Sequence, residues 1–280
     1  TANATNVSAF VADSDTTNAG TATLTAASGG STITMTNSAS GAYTLTGAAG
    51  VDNLTGGTGA DIISGNGGAD IITGGAGNDS LTGNAGNDRF NVDSGTDTVT
   101  DLATGDDLVV SSGATANATN VSAFVADSDT TNAGTATLTA ASGGSTITMT
   151  NSASGAYTLT GGAGVDNLTG GTGNDIIAGN GGADIIAGGD GADIITGAGG
   201  NDIIAGGTGN DTITGGANND SLTGNAGNDT FNVDSGTDTV TDLATGDDLV
   251  VSSGATANAT NVSAFVADSD TTNAGTATLT

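Results

Sequence analysis

A nine-residue repeat constrains this chain more than any other feature of its sequence. Five copies fill residues 47–91 and eight copies fill residues 161–232. In all 13 copies the first position is Gly, the sixth is Asp and the eighth is Leu, Ile or Phe, while the fourth is Gly except at Asn218. Where the second position departs from Gly it is mostly Asn, which tolerates a positive φ better than other side chains do. The chain must therefore build a regular stack of very short elements.

The pattern inside each copy predicts a strand and a turn. The three residues around the eighth position can form only a short strand, and the Gly-rich residues before them form a turn. Two copies then make one coil of a flattened solenoid, with two strands facing each other across a thin core. We therefore predict an all-β fold: a parallel β-roll or β-solenoid with two nonapeptides per turn and β-rich spacer segments. The predicted core residues are Leu54, Ile63, Ile72, Leu81, Phe90, Leu168, Ile177, Ile186, Ile195, Ile204, Ile213, Leu222 and Phe231.

The composition requires an additional source of stability. Val, Leu, Ile and Phe together number 49 of 280 residues, and the net charge is −29. Such a low content of large apolar residues with so high a charge is typical of disordered chains. All 30 acidic residues are Asp, the single base is Arg89, and Glu, Lys, His, Cys, Pro and Trp do not occur. We predict that the chain is not an enzyme, since most catalytic side chains are missing. The negative charge disfavours binding to nucleic acid. No apolar run is long enough for membrane insertion. We expect no small-molecule substrate.

The sixth-position Asp residues predict a cation ladder. In the roll, each Asp stacks about 5 Å from the Asp two copies later, and two such carboxylates repel by roughly 3 kcal/mol. Asp also favours turns in general, but that preference does not explain one register kept through 13 copies. Ca²⁺ accepts 6 to 8 oxygens and combines carboxylates with main-chain carbonyls, whereas Mg²⁺ requires a tighter octahedron. One ion between copies i and i+2 gives three and six sites, so about nine Ca²⁺ ions are expected.

The predicted carboxylate ligands are Asp52, Asp61, Asp70, Asp79, Asp88, Asp166, Asp175, Asp184, Asp193, Asp202, Asp211, Asp220 and Asp229. The predicted carbonyl ligands are Gly56, Gly57, Gly59, Gly74, Gly75, Gly77, Gly170, Gly171, Gly173, Gly188, Gly189, Gly191, Gly206, Gly207 and Gly209.

The repeat G-G-x-G-x-D-x-U-x, in which U is a large apolar residue, resembles the RTX, or haemolysin-type, calcium-binding repeat family. The resemblance covers the 13 nonapeptides, 117 residues in all. It implies a parallel β-roll with calcium in its turns, and export of the unfolded chain by a type I secretion machine. An extracellular or cell-surface location, in a Gram-negative bacterium, is therefore expected.

A longer repeat divides the chain into cassettes. Residues 1–46 recur unchanged at 115–160, and their beginning recurs at 256. We predict a β-rich spacer at 1–46, a calcium roll with degenerate closing turns at 47–114, a second spacer at 115–160, a longer roll at 161–255 and the start of a third spacer at 256–280. The spacers either continue the solenoid or form separate small sandwiches. Because the chain stops inside a cassette, we expect it to be part of a longer array.

The closing turns keep the nine-residue spacing without the glycines. Asp97, Asp106, Asp238 and Asp247 still occupy sixth positions, and the sequence leaves open whether they bind calcium. Asp93, Asp101 and Asp107 are expected to form a solvated acidic face.

These features predict a structural repeat of a secreted filament, surface layer or long adhesin stalk. Two alternatives remain: a carboxyl-terminal export and folding module of a type I-secreted enzyme or toxin, and a glycan- or ice-binding adhesive module. We expect self-assembly through lateral and end-to-end contacts. The lateral contacts are expected at outward seventh-position residues, namely Ile62, Ile71, Ile176, Ile185, Ile194 and Ile203.

Overall fold

The computed structural model describes residues 2–12, 16, 18, 20–36, 41–152, 155–262, 265–267 and 270–280. In these residues every regular element is a β-strand, and no helix is long and apolar enough to cross a membrane. Two compact units occur: residues 1–137 with 151–153, and residues 138–150 with 154–280. The prediction of an all-β fold is confirmed.

The strands are β1 (Ala2–Val7), β2 (Ala9–Val11), β3 (Thr21–Ala26), β4 (Thr32–Thr34), β5 (Ala42–Thr46), β6 (Asn53–Thr55), β7 (Ile62–Gly67), β8 (Ile71–Thr73), β9 (Ala76–Gly77), β10 (Ser80–Ala85), β11 (Arg89–Val92), β12 (Ser94–Val99), β13 (Asp107–Val110), β14 (Thr115–Val121), β15 (Ala123–Val125), β16 (Thr131–Asn132), β17 (Thr135–Ala140), β18 (Thr146–Thr148), β19 (Tyr157–Thr160), β20 (Asn167–Thr169), β21 (Ile176–Gly181), β22 (Ile185–Asp190), β23 (Ile194–Gly199), β24 (Ile203–Thr208), β25 (Thr212–Ala217), β26 (Ser221–Ala226), β27 (Thr230–Val233), β28 (Thr237–Val240), β29 (Asp248–Val251), β30 (Thr256–Ala259), β31 (Thr272–Asn273) and β32 (Thr276–Leu279).

The first unit is a parallel solenoid of two sheets. One sheet has the order β1-β3-β5-β7-β10-β12-β14, and the other has the order β2-β4-β6-β8-β11-β13-β16. In the first sheet Leu45 pairs with Ile63, and Ile63 pairs with Leu81. Within the roll, neighbouring strands of a sheet are therefore 18 residues apart, which confirms two nonapeptides per turn.

The second unit repeats this architecture over the longer roll. Its sheets have the orders β19-β21-β23-β25-β27-β29-β31 and β18-β20-β22-β24-β26-β28-β30-β32. Ile177 pairs with Ile195 in one sheet, and Ile186 pairs with Ile204 in the other, again in parallel.

The strands of the first spacer extend the same sheets. β4 pairs in parallel with β6, which places Ile33 beside Leu54, and β5 pairs in the same way with β7. The spacer therefore continues the solenoid in this unit, because its apolar residues keep the inward phase of the nonapeptides.

The core is the row of eighth-position residues. All 13 of these side chains are at most 1% exposed, as predicted. Since side chains alternate along a strand, the seventh-position Ile residues point outward and are 39–57% exposed.

Most strands of the rolls are longer than the three residues that the sequence predicts. β7 and β21, for example, run through the ninth position into the Gly-rich segment. The N–H of Gly47 donates to the carbonyl of Ser64 at 2.7 Å, so the first position still belongs to the hydrogen-bonded ladder. The chain then bends at a positive φ, which second-position Asn66 (φ 73°) and Asn180 (φ 70°) adopt, as their residue type predicts.

Candidate metal centre

The solenoid buries every sixth-position carboxylate. The sixth and eighth positions lie on the same side of the chain, because side chains alternate, so the Asp faces inward like the core residue two positions later. All 13 nonapeptide Asp residues are at most 3% exposed. The sequence predicts these residues as ligands at the turns, and the structure buries all of them on the inner side of the solenoid.

Except for Asp52 and Asp166, each nonapeptide carboxylate accepts a hydrogen bond from the turn before it. Oδ1 of Asp70 accepts a hydrogen bond from the backbone N–H of Asp52 at 2.7 Å, and Oδ1 of Asp202 accepts one from Asp184 at 2.8 Å. The same contact recurs along both edges of both rolls, always across 18 residues. The Asp residues of each edge therefore form a ladder with one carboxylate per turn.

Most of these carboxylates keep a second oxygen that is buried without a hydrogen-bond donor. Burying such an oxygen in the ionised form costs free energy, unless a cation lies beside it or the carboxylate takes up a proton. Within the two rolls, all of whose residues are described, 11 sixth-position oxygens are in this state. They are Oδ1 of Asp52 and Asp166, and Oδ2 of Asp70, Asp79, Asp97, Asp184, Asp193, Asp202, Asp211, Asp220 and Asp238.

Eight of the unpaired oxygens border a space that a first-position glycine leaves open. A Cβ added to Gly179 would meet Oδ2 of Asp184 and would lie 2.9 Å from the carbonyl oxygen of Gly197. A Cβ on Gly197 would in turn meet Oδ2 of Asp202 and lie 2.5 Å from the carbonyl oxygen of Gly215. A carboxylate oxygen and a main-chain carbonyl of the next turn thus converge beside a missing side chain, which explains why this position is always Gly.

The predicted glycines fall into two groups in the structure. First-position glycines border this space, and they are Gly56, Gly74, Gly170, Gly188 and Gly206. Second- and fourth-position glycines form the bend, where in most cases an added Cβ would collide with the carbonyl of the glycine 18 residues earlier. They are Gly57, Gly59, Gly75, Gly77, Gly171, Gly173, Gly189, Gly191, Gly207 and Gly209.

The donor set fits a hard divalent cation. All donors at the space are oxygens, and the chain has no His or Cys for a softer metal. Among the residues that the structure covers, no three acidic side chains form a metal cluster by themselves, so carbonyls must complete the shell. Such a mixture of carboxylates and carbonyls is typical of Ca²⁺ sites.

A protein-family comparison agrees with this geometry. The model of the RTX calcium-binding nonapeptide repeat, which spans four copies, matches residues 46–81, 64–99, 160–195, 178–213 and 205–240. The chain carries RTX calcium-binding nonapeptide repeats. A comparison with curated proteins found no match.

Burial raises the pKa of the RTX carboxylates when no cation is bound. The pKa of Asp79 and that of Asp193 rise to about 7, first because burial disfavours the charged form and then because neighbouring Asp residues repel it. The pKa values of Asp97, Asp184, Asp220, Asp229 and Asp238 rise to about 6, and burial is again the largest cause. The cation-free ladder is therefore under electrostatic stress at neutral pH.

Some of the carboxylates at the ends of the ladders have backbone donors for both oxygens. Oδ2 of Asp61 accepts from the N–H of Gly57 at 2.6 Å, and Oδ2 of Asp106 accepts from Ala103 at 2.9 Å. Asp175 and Asp247 repeat these contacts in the second roll. Asp106 and Asp247 therefore cap their ladders, whereas Asp97 and Asp238, the last Asp residues of the other ladder in each roll, keep an unpaired oxygen.

The prediction of a solvated acidic face is wrong for two of its three residues. Asp101 accepts hydrogen bonds from the backbone N–H groups of Gly83 and Asn84, at 3.0 and 2.6 Å. Oδ2 of Asp107 lies 3.7 Å from Nη1 of Arg89, and its other oxygen is buried. Only Asp93 is exposed.

Sequence reasoning missed the role of Asp101 and of its counterpart Asp242, which makes the same two contacts in the second roll. Each replaces the first-position glycine of the last turn, and this substitution is the signal that could have found them.

Proposed function

We propose that this chain is a calcium-dependent structural repeat of a secreted extracellular filament, surface layer or adhesin stalk. Its rolls fold when Ca²⁺ fills the Asp ladders. One observation carries the proposal: 11 buried carboxylate oxygens of the two rolls have no hydrogen-bond donor. Those of Asp70, Asp184, Asp193, Asp202 and Asp211 lie beside a first-position glycine and a main-chain carbonyl oxygen.

The unpaired oxygens also suggest how many ions the chain holds. One ion for each gives four in the first roll and seven in the second, or 11 in place of the nine expected from the nonapeptides alone. The increase arises because Asp97 and Asp238 belong to the ladders. Eleven divalent ions bring +22 against a net charge of −29.

The strength of the calcium effect supports folding outside the cell. Extracellular calcium modules bind with Kd of roughly 10⁻⁴ to 10⁻³ M. At a tenfold excess of calcium over Kd, each site contributes about 1.4 kcal/mol, so the ladders together contribute on the order of 15 kcal/mol. This equals the whole stability of an ordinary domain, about 5 to 15 kcal/mol. The chain stays unfolded at low calcium inside the cell and folds after export.

A structural role agrees with the repetition and with the available side chains. Near-identical cassettes repeat one solenoid module along the chain, as in repeat proteins that form extended structures. The chain has no His, Cys, Lys or Glu to serve as a nucleophile or a general base, and we assign it no catalytic step.

Circular dichroism during a calcium titration tests the proposal. The β-sheet signal should appear between micromolar and millimolar Ca²⁺, and Mg²⁺ should be much less effective. A variant with Asp184→Asn, Asp202→Asn and Asp220→Asn removes three rungs of one ladder and should need more calcium. The control removes the same charge from exposed residues, through Asp129→Asn, Asp190→Asn and Asp270→Asn, and should fold like the unaltered chain. An equal calcium requirement of the two variants would count against the proposal.

Electron micrographs of the folded chain test the assembly role. Ordered fibres or sheets should form with calcium and disappear after chelation. Dispersed single molecules in both conditions would instead favour the export-module alternative.

A further inference from the structure

The outer faces of the second roll carry no charge at their centres, although the chain is strongly acidic. The residues on either side of each buried core residue point outward and form the outer surface of each sheet. On β20, β22, β24 and β26 of one sheet these residues are Thr, Ser, Asn, Ala or Ile. On β19, β21, β23 and β25 of the other sheet they are Thr, Ala or Ile. The centre of each face therefore suits an uncharged partner.

Each face has an apolar centre that spans two strands. In the first face Ile185 pairs with Ile203 and Ala187 pairs with Ala205, and these four outward residues are here called the β22–β24 patch. Ile185 is 49% exposed and Ile203 is 57% exposed. The neighbouring strands β20 and β26 present Thr, Ser and Asn beside the patch. An exposed apolar patch with a polar rim is typical of an interaction site.

The second face repeats this arrangement. Ile176 pairs with Ile194 and Ala178 pairs with Thr196, and these residues are here called the β21–β23 patch. The two Ile side chains are 51% and 53% exposed, and the neighbouring strands β19 and β25 present Thr. Because the two sheets lie on opposite sides of the core, the two patches face in opposite directions.

Each patch is complementary to itself in shape. The Ile side chains form a ridge, and the smaller side chains two positions later form a groove beside it. When two copies meet face to face about a two-fold axis parallel to the direction in which the coils stack, their strands run antiparallel. The ridge of each copy then lies over the groove of the other. Like patches therefore fit each other.

Calcium removes the repulsion between two such rolls. Residues 161–255 contain 14 Asp and no basic residue, so the calcium-free roll carries a charge of −14 and repels another copy. The seven ions expected for this roll bring +14, and its net charge becomes zero. A net charge near zero promotes association.

We propose that the calcium-loaded second rolls of different copies of this chain stack face to face through like patches. The β22–β24 patch docks on the β22–β24 patch of one neighbour, and the β21–β23 patch docks on the β21–β23 patch of another. Because the two patches face in opposite directions, these two-fold contacts propagate into rows of rolls. The proposal deepens the structural role proposed above and rests on the calcium-folded rolls.

The size of a face indicates how strong one contact is. Four strands about 4.8 Å apart, with up to about six residues each, cover roughly 400 Å². Stable complexes bury about 800 Å² on each partner, so a single contact is weak. Rows in which each roll uses both faces gain from multivalency, as do chains with repeated cassettes.

Closing one patch at a time tests the proposal. Ile185→Asp with Ile203→Asp closes the β22–β24 patch, and Ile176→Asp with Ile194→Asp closes the β21–β23 patch. In calcium, sedimentation of the unaltered chain should show masses above two copies that grow with concentration. Each variant with one closed patch should stop at two copies, because only one patch can dock. The variant with all four changes should stay a single copy.

The first roll supplies the matched control. It has one outward Ile on each face, Ile62 and Ile71, and therefore lacks a two-strand Ile ridge. Ile62→Asp with Ile71→Asp adds the same charge as one closed patch and should assemble like the unaltered chain.

A groove-filling variant separates shape complementarity from general apolar attraction. In the chain with a closed β21–β23 patch, Ala187→Ile with Ala205→Ile enlarges the apolar surface but fills the groove. The association of two copies should become weaker by about tenfold. Adding Ile185→Ala with Ile203→Ala exchanges ridge and groove and should restore it.

Each variant is first checked by circular dichroism for the calcium-induced β spectrum, and Thr replaces Asp wherever an Asp variant does not fold. Folded variants with one closed patch that grow beyond two copies would overturn the proposal. Assembly of the variant with all four changes, or tighter association of the groove-filling variant, overturns it as well. So does an unaltered chain that folds with calcium and stays a single copy. Failure of the unaltered chain to fold with calcium would instead contradict the proposed function.

Discussion

At the level of single residues, the first-position glycine decides whether a cation can enter. At Gly197 an added Cβ would meet Oδ2 of Asp202 and lie 2.5 Å from the carbonyl of Gly215, whereas at Gly199 the nearest atom would be 3.4 Å away. We expect Gly197→Ala to remove one bound calcium, and with it about 1.4 kcal/mol at a tenfold excess of calcium over Kd. Gly199→Ala should keep the full number of ions. Metal analysis and denaturant unfolding measure both effects, and equal ion counts would contradict this role of Gly197.

The sequence predicts which residues stack but not how each oxygen is used. The repeat is sufficient to place every sixth-position Asp and every core residue, because a period of nine leaves only one register. It does not reveal that the carboxylate of Asp61 has two backbone donors while that of Asp79 has one. Both residues accept a hydrogen bond from the turn 18 residues earlier, and the difference is the N–H of Gly57, four residues before Asp61, which donates to its second oxygen.

At the level of strands and turns, the closing turns end the two ladders of a roll in different ways. Oδ2 of Asp97 is unpaired and lies 2.7 Å from the Cβ position of Gly74, whereas both oxygens of Asp106 accept backbone hydrogen bonds. We expect Asp97→Asn to lose one calcium and Asp106→Asn to lose none. Isothermal titration of both variants gives the stoichiometries. A calcium lost from Asp106→Asn, or retained in Asp97→Asn, would contradict this division.

The sequence indicates the closing turns only through their spacing. Asp101 stands at a first position, where the roll has Gly, and the pattern alone favours an exposed acid there. In the structure its carboxylate accepts hydrogen bonds from the N–H groups of Gly83 and Asn84, which would otherwise lack acceptors.

The ladders also predict how the cation-free solenoid responds to pH. The pKa of Asp79 and that of Asp193 rise from 3.8 to about 7, so between about pH 4 and pH 7 the folded state binds more protons than the unfolded chain. The free energy of unfolding should therefore fall as the pH rises through this range. In chelator, circular dichroism should show more β-sheet at pH 5 than at pH 7.5. A β signal that grows toward pH 7.5 would contradict the raised pKa values.

At the level of the whole molecule, the outward Ile rows are candidates for lateral contacts between rolls. Ile176 stacks on Ile194 and Ile185 stacks on Ile203, one pair in each sheet of the second roll. Replacing the six outward Ile residues with Thr should preserve calcium-induced folding and weaken sheet or bundle formation in micrographs, because exposed apolar ladders seek partners. The control replaces the same residues with Val, which keeps them apolar. Unchanged assembly in the Thr variant would assign the lateral contacts to other surfaces.

The central claim is that divalent cations hold the ladders together and that folding depends on them. Counting the calcium bound to the folded chain, by equilibrium dialysis with metal analysis, tests it most directly. The account predicts about 11 ions per chain, one for each unpaired oxygen, and loss of the β spectrum when a chelator removes them. A chain that keeps its β spectrum in chelator at neutral pH, with no calcium bound, would contradict it.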